Sequence, residues 1–242
     1  NTYFVALEDQ LGSVEAPVRM AQRMGLFSLD PVADQVVAEN RGSFTLGAEA
    51  TSPLALASAY STLAASGTHC DVVPVTAILD SSGEPLLGDD GAPVPIGPRC
   101  TPEAIPSGVA NTLNQMLRKD VEPGNRGQTG SRAYVPGHQI AGKTGTSQEN
   151  FSVAFVGYTP QYTASVMVLN PKQNEDLGGY GGRLAAPIWK QALEPPKATY
   201  HRNASGFSAA LLHCAVMTPV HSPVHRSPAR VPTSRALSDG AA

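Results

Sequence analysis

Lys143, Thr144, Gly145 and Thr146 stand consecutively in the run Ala141-Gly142-Lys143-Thr144-Gly145-Thr146-Ser147. These residue types suit a strand edge that lies flat against a carboxylate. The lysine supplies positive charge and the threonine hydroxyls supply donors, and hydrogen bonds to an ion are the strong ones. The small side chains let backbone N–H groups approach the ligand. Taken alone, Lys143-Thr144-Gly145 equally suits a solvated turn, because Gly, Thr and Ser mixtures are ordinary turn material.

The residues after the triplet separate these two readings. Phe151, Val153 and Phe155 alternate with Ser152, Ala154 and Val156, Thr159-Pro160-Gln161 interrupts, and Tyr162 to Leu169 resumes a β-favouring run. The pattern predicts strand, tight connection, strand. The lysine-bearing segment then becomes a third strand, preceding the hairpin and lying beside it.

With that context the chain resembles the transpeptidase domain of the large, class A type, peptidoglycan-synthesising penicillin-binding proteins. Their signature is a Ser-x-x-Lys tetrad, a serine–asparagine motif and Lys-Thr-Gly. Lys143-Thr144-Gly145 supplies the third element, extended by Thr146. Ala141-Gly142 before it, Phe155-Val156-Gly157-Tyr158-Thr159-Pro160 after it, Leu46 to Gly67 and Ala186-Pro187-Ile188-Trp189-Lys190 are also family-like. The similarity covers residues 1 to about 194.

Two departures accompany the match. No Ser-x-x-Lys occurs in the 242 residues. The chain opens Asn1-Thr2-Tyr3-Phe4-Val5, so Asn1 reads as the asparagine of a Ser-x-Asn motif whose serine lies before it. The resemblance implies an α+β fold of the β-lactamase/transpeptidase type, an antiparallel sheet flanked by helices and incomplete on its N-terminal side. It implies a C-terminal piece of a D,D-transpeptidase, with a glycosyltransferase domain further upstream and a membrane anchor outside this chain, working outside the cytoplasm. Stem peptides ending in D-Ala-D-Ala and β-lactams are the implied ligands, other cell-wall synthesis proteins are candidate partners, and no cofactor is implied.

The family's site residues carry over as Lys143, Asn1 and Thr146 for catalysis, and Thr144, Gly145, Thr146 and Ser147 for substrate binding. Lys143 would help anchor the carboxylate and hold a proton relay. The Thr146 N–H would form half of an oxyanion hole, and Asn1 would orient the acyl group. With its nucleophile missing, the isolated chain is expected to be inactive. Rival readings are a D,D-carboxypeptidase or serine β-lactamase on the same fold, or a non-catalytic scaffold that lost the serine.

Composition sets the outer limits. A chain of 242 residues with 41% hydrophobic content can build one sizeable core. The formal net charge of −3 and the lack of a basic patch interleaved with aromatics exclude a nucleic-acid binder. Cys70, Cys100 and Cys214 form no C-x-x-C pair, which excludes zinc-ribbon and thioredoxin readings. Cys70 and Cys100 bracket a Pro/Gly-rich excursion. They are read either as a disulfide, which the extracytoplasmic setting implied by the family favours, or as two separate thiols.

Elements must position the site. Residues 2–25 read as helical with a break near Gly12-Ser13 and a stop at Gly25. Asp30 to Gly47 reads as a polar connection. Ser52 is the candidate N-cap of a helix ending at Gly67. Val72 to Leu79 is strand-like, Thr101 to Leu117 helical, Gly124 to Gly137 a glycine-rich loop, and Ala185 to Leu193 a final helix. Gly178-Gly179-Tyr180-Gly181-Gly182 lacks a Walker lysine and reads as a hinge-like loop. Residues 196–242 read as a low-complexity, mostly disordered tail, with five basic residues against one acidic in 197–242. His213, Cys214, His221 and His225 have ligand-like spacing, but Pro219 and Pro223 interrupt any helix that would align them, so no metal site is expected.

Overall fold

A computed structural model describes residues 1–75, 77–194 and 213–219. The helical N-terminal region divides into α1 (Thr2–Leu11) and α2 (Glu15–Arg23). Gly12 divides them: it takes φ 72°, the left-handed conformation that glycine adopts without strain. The expected polar connection contains α3 (Ala33–Ala38) and a 3-10 turn at Gly42–Leu46. Sequence missed α3 because six residues carry too little periodicity. Its Ala33 and Val36 pack on Val14 and Val18 to make a small satellite core.

α4 (Pro53–Ala64) begins as the sequence predicts. Ser52 caps it, its hydroxyl accepting from the Ala55 N–H at 3.1 Å, and Pro53 occupies the first turn, where no N–H is needed. Beyond α4 the chain forms β1 (His69–Cys70), leaves on an excursion, and returns as β2 (Cys100–Thr101), which pairs with β1. Cys70 and Cys100 are bonded as a disulfide. No strand forms among the described residues of the stretch Val72 to Leu79, expected as one; isolated bridges join Leu79 to Pro85 and Leu87 to Pro93, where each proline lacks the N–H that a ladder needs.

α5 (Ser107–Val121) starts later than the predicted Thr101 and runs further than Leu117. Pro106 delays the start, since a residue preceding proline is disfavoured in helical geometry. The four-stranded antiparallel sheet comes next, as β3 (Ala141–Thr146), β4 (Ser152–Tyr158) and β5 (Tyr162–Leu169), in that spatial order. α6 (Gly181–Leu193) begins inside the glycine cluster rather than at Ala185. Within the segment read as a tail, His213–Pro219 form β6 on the outer edge of β5, where unpaired backbone groups of an edge strand offer a template. The remainder of that segment, with His221 and His225, lies outside the described residues.

The sheet separates two packing layers, which makes the fold α+β. On one face Phe155, Ala164 and Val166 meet Ala185, Ala186 and Trp189 of α6. The Trp189 indole N–H donates to the carbonyls of Ala164 at 3.0 Å and Gly157 at 3.2 Å, so α6 is tied to β4 and β5 with its one polar atom satisfied. On the other face Ala141 and Tyr158 meet Leu63 of α4 and Ala110 of α5. The Tyr158 hydroxyl donates to Asn114 Oδ1 at 2.6 Å, and Asn114 Nδ2 donates to the Leu63 carbonyl at 3.0 Å. These two layers clamp β3 from both sides and fix the plane in which Lys143 to Thr146 lie.

Candidate active site edge

β3 is an edge strand among the described residues, with β4 on its one side. The register pairs Thr144 with Phe155 and Thr146 with Val153, and the Ser147 N–H donates to the Ser152 carbonyl at 2.9 Å. In an antiparallel pair, hydrogen-bonded and non-hydrogen-bonded residues alternate. Ser147, Gly145 and Lys143 therefore turn their backbone groups toward β4. Thr146 and Thr144 turn theirs outward, to the open edge. An extended segment with two outward amides beside a lysine is a place where an anionic or carbonyl oxygen can be held.

Glycines keep that edge flat. A β-carbon at Gly142 would stand 2.6 Å from the Phe155 ring and 2.8 Å from the Val156 carbonyl oxygen. At Gly181 it would overlap the carbonyl oxygens of Gly145 and Ala154, and at Gly182 that of Thr129. The start of α6 thus presses directly on the strand that carries the lysine. The cluster at 178–182 is a close-packing device more than a hinge.

The side chains on this edge are already organised. Lys143 is exposed, and its Nζ donates to the Thr144 carbonyl at 3.1 Å and to Thr144 Oγ1 at 3.3 Å. Thr144 Oγ1 lies 2.7 Å from Thr129 Oγ1, which in turn lies 2.9 Å from both carboxylate oxygens of Asp120. The Thr129 N–H also donates to Asp120 Oδ1 at 2.7 Å. Thr146 Oγ1 accepts from the Gly181 N–H at 3.2 Å. Thr144 and Thr146, two positions apart, share the face that α6 covers.

The structure thus brings Lys143, Thr144, Gly145 and Thr146 together. It commits Ser147 elsewhere: its hydroxyl accepts from the Ser152 N–H at 2.8 Å and closes the β3–β4 turn. Asn1 precedes α1 with an exposed side chain that makes no capping bond, and α1 packs on the turn Gly42–Leu46, where Thr45 donates to Glu8. Two described hollows, of ≈ 370 and ≈ 550 Å³, meet at Arg118 and Gln139 near the start of β3, and neither is lined by Lys143 to Ser147. No group of three metal-ligating side chains occurs among the described residues.

Sequence reasoning missed Asp120, Thr129 and Gly181. Asp120 sits in the last turn of a helix and Thr129 in a glycine-rich loop, so neither has a motif of its own. The available signal was the Gly181-Gly182 pair at a helix start, where two glycines are poor helix formers and imply a close backbone neighbour.

Comparison with known proteins places this architecture in a family. Residues 1–194 match the penicillin binding protein transpeptidase domain. The chain belongs to that family. Penicillin-binding protein 1A of Aquifex aeolicus is 32% identical over 191 residues, which are 78% of this chain and 23% of that protein. Penicillin-binding protein 1A of Neisseria flavescens is 32% identical over 159 residues, 62% of this chain and 18% of its own length. The chain therefore spans less than a quarter of these curated relatives. Among solved structures, the penicillin-binding protein PonA1 of Mycobacterium tuberculosis superposes with a TM-score of 0.55 at 28% identity, over 70% of this chain and 46% of that one. Penicillin-binding protein A of M. tuberculosis, solved as an imipenem acyl-enzyme complex, gives 0.54 at 25% identity over 80% and 45%. No described helix is long and apolar enough to cross a membrane.

Proposed function

We propose that this chain supplies the carboxylate-binding edge and half of the oxyanion hole of a D,D-transpeptidase that cross-links peptidoglycan stem peptides through a serine ester. The observation that carries the reading is the outward pair of backbone amides at Thr144 and Thr146 beside the Lys143 ammonium. A stem peptide ending in D-Ala-D-Ala presents a carboxylate and, one residue back, the amide carbonyl to be attacked. Lys143 and the edge hydroxyls hold the carboxylate. The Thr146 N–H then faces the carbonyl oxygen, which gains negative charge as the serine adds, and a preorganised donor at that place is worth ~3–4 kcal/mol of barrier.

Serine is a weak nucleophile that needs an adjacent base. Neither the serine nor its Ser-x-x-Lys lysine is in this sequence, so both come from elsewhere in the full-length protein. Asn1 is proposed to orient the acyl group. β-Lactams carry the same carboxylate-and-carbonyl pair and acylate the same serine. Solved relatives in complex with penicillin V and imipenem support this ligand class. A cell-wall setting, an anchor and a glycosyltransferase domain outside this chain belong to the same proposal.

Labelling with a fluorescent penicillin tests it. The full-length gene product is expected to form a stable adduct, and the 242 residues made alone are expected to form none. An adduct on the isolated chain, or none on the full-length protein, contradicts the reading. The absence of a Ser-x-x-Lys tetrad favours one second reading, a non-catalytic scaffold on the same fold. The gene sequence preceding Asn1 separates the two: a tetrad some tens of codons upstream makes an enzyme, and a long open frame without one makes a scaffold.

A further inference from the structure

We propose that the hollow walled by the end of α4, by α5 and by the β4–β5 turn is a second ligand site, built for a small carboxylate with a flat apolar body. It is separate from the open edge of β3, since no residue from Lys143 to Ser147 lines it. The inference stands independently of the acyl-transfer reading. It comes from matching donors against acceptors on the walls of this ≈ 370 Å³ space, a size within the range of small-molecule pockets.

Three side chains bring the hollow protons that nothing among the described residues accepts. Arg118 Nε donates to Glu122 Oε1 at 2.9 Å, and the two terminal nitrogens of the guanidinium have no acceptor among the described residues. Thr159 is only 7% exposed. Its Oγ1 accepts from the N–H groups of Gln161 at 3.2 Å and Tyr162 at 3.1 Å. Both lone pairs are thereby used, and the hydroxyl proton is left over. Asn114 Oδ1 accepts from the Tyr158 hydroxyl and one N–H of its amide goes to the Leu63 carbonyl, so the second N–H remains.

Acceptors are scarce on the same walls. No Asp or Glu lines this hollow. Glu122 lines the neighbouring one, where it also accepts from the Ile140 N–H at 3.1 Å. Burial pushes the Tyr158 hydroxyl above its ordinary range, so that ring adds no negative charge. A buried donor without an acceptor is destabilising, and an ionised acceptor offsets that most strongly. The Glu122 bond leaves the terminal fork of Arg118 oriented, which suits two parallel bonds to a carboxylate. One guanidinium, partly neutralised by Glu122, matches a single negative charge. Ala64, Pro160 and the Tyr158 ring supply apolar wall for the body of the ligand.

Fluorine NMR titration of the full-length protein tests the site with para-fluorobenzoate, its neutral analogue para-fluorobenzyl alcohol, and inorganic phosphate as competitor. The Lys143→Ala background is used throughout, so that the β3 edge does not capture the acid. The acid is expected to bind at least about tenfold more tightly than the alcohol, the scale of a hydrogen bond to an ion. Phosphate, which gains nothing from the apolar walls, is expected not to displace it at equal concentration. Arg118→Gln removes the charge and is expected to erase the preference for the acid. Ala64→Phe fills the hollow from the end of α4, leaves Arg118 in place, and is expected to abolish binding of acid and alcohol alike. Equal affinity for acid and alcohol, displacement by equimolar phosphate, or acid binding unchanged by either substitution overturns the proposal and leaves the acyl-transfer reading untouched.

Discussion

A short polar side chain is defined by what its neighbours leave it free to do. Lys143 to Thr146 were legible in sequence because charge, hydroxyls and glycines fall together before a strong hairpin pattern. The different duties of Thr144, Thr146 and Ser147 were not, because they depend on Asp120, Gly181 and Ser152, brought in from other elements. His69 shows the same dependence. Its Nδ1 lies 3.3 Å from Thr62 Oγ1, whose own proton goes to the Met24 carbonyl at 2.8 Å, and its Nε2 is 3.9 Å from Asp71. Burial pushes the imidazole below its ordinary value of 6.5, and Asp71 opposes that shift only in part. The unfolded chain therefore takes up the proton at higher pH than the folded one. The stability tied to neutral His69 is complete above the unfolded value and is lost as pH falls toward the folded one. The wild-type melting temperature should drop between about pH 7 and about pH 5 by more than that of a His69→Gln variant. Equal drops in both would remove His69 as the group responsible.

At the scale of elements, the hairpin and the capped helix were readable because local chemistry decides them. Ser52 caps α4 in the structure as its type and its place before Pro53 imply, and Ser52→Ala should cost about 1 kcal/mol in denaturant unfolding. No change in midpoint would show the cap to be idle. α3 and the excursion between the cysteines were misread, the first because it is short and the second because prolines remove ladder donors from an otherwise strand-like run. The start of α6 was misplaced because loop-like glycines serve there as contact surfaces. A methyl group at Gly181 has nowhere to go but into the carbonyls of Gly145 and Ala154. Gly181→Ala should therefore destabilise by about 1–3 kcal/mol, the range for overpacking, and shift β3 enough to slow penicillin acylation of the full-length protein. A variant with wild-type stability and rate would show that α6 does not brace the edge.

Across the whole molecule, the sheet and its two covering layers form one well-packed body, while the first helix contributes no residue to a core. α1 has no buried residue, and Tyr3, Phe4 and Leu11 are 72%, 57% and 57% exposed. Apolar residues exposed together on one helix promote association, so the isolated chain should bind a hydrophobic dye and self-associate. A monodisperse, dye-silent preparation would contradict this. The disulfide closes a separation of 30 residues and should contribute ~3–4 kcal/mol by the loop-entropy model, measured as the shift in unfolding midpoint on reduction. The central claim is the β3 edge, and Lys143→Ala in the full-length protein tests it most directly through the rate of penicillin acylation. The rate should fall at least about tenfold, since a charge-assisted contact to the ligand is removed. An unchanged rate would show that the edge around Thr144 does not hold the carboxylate.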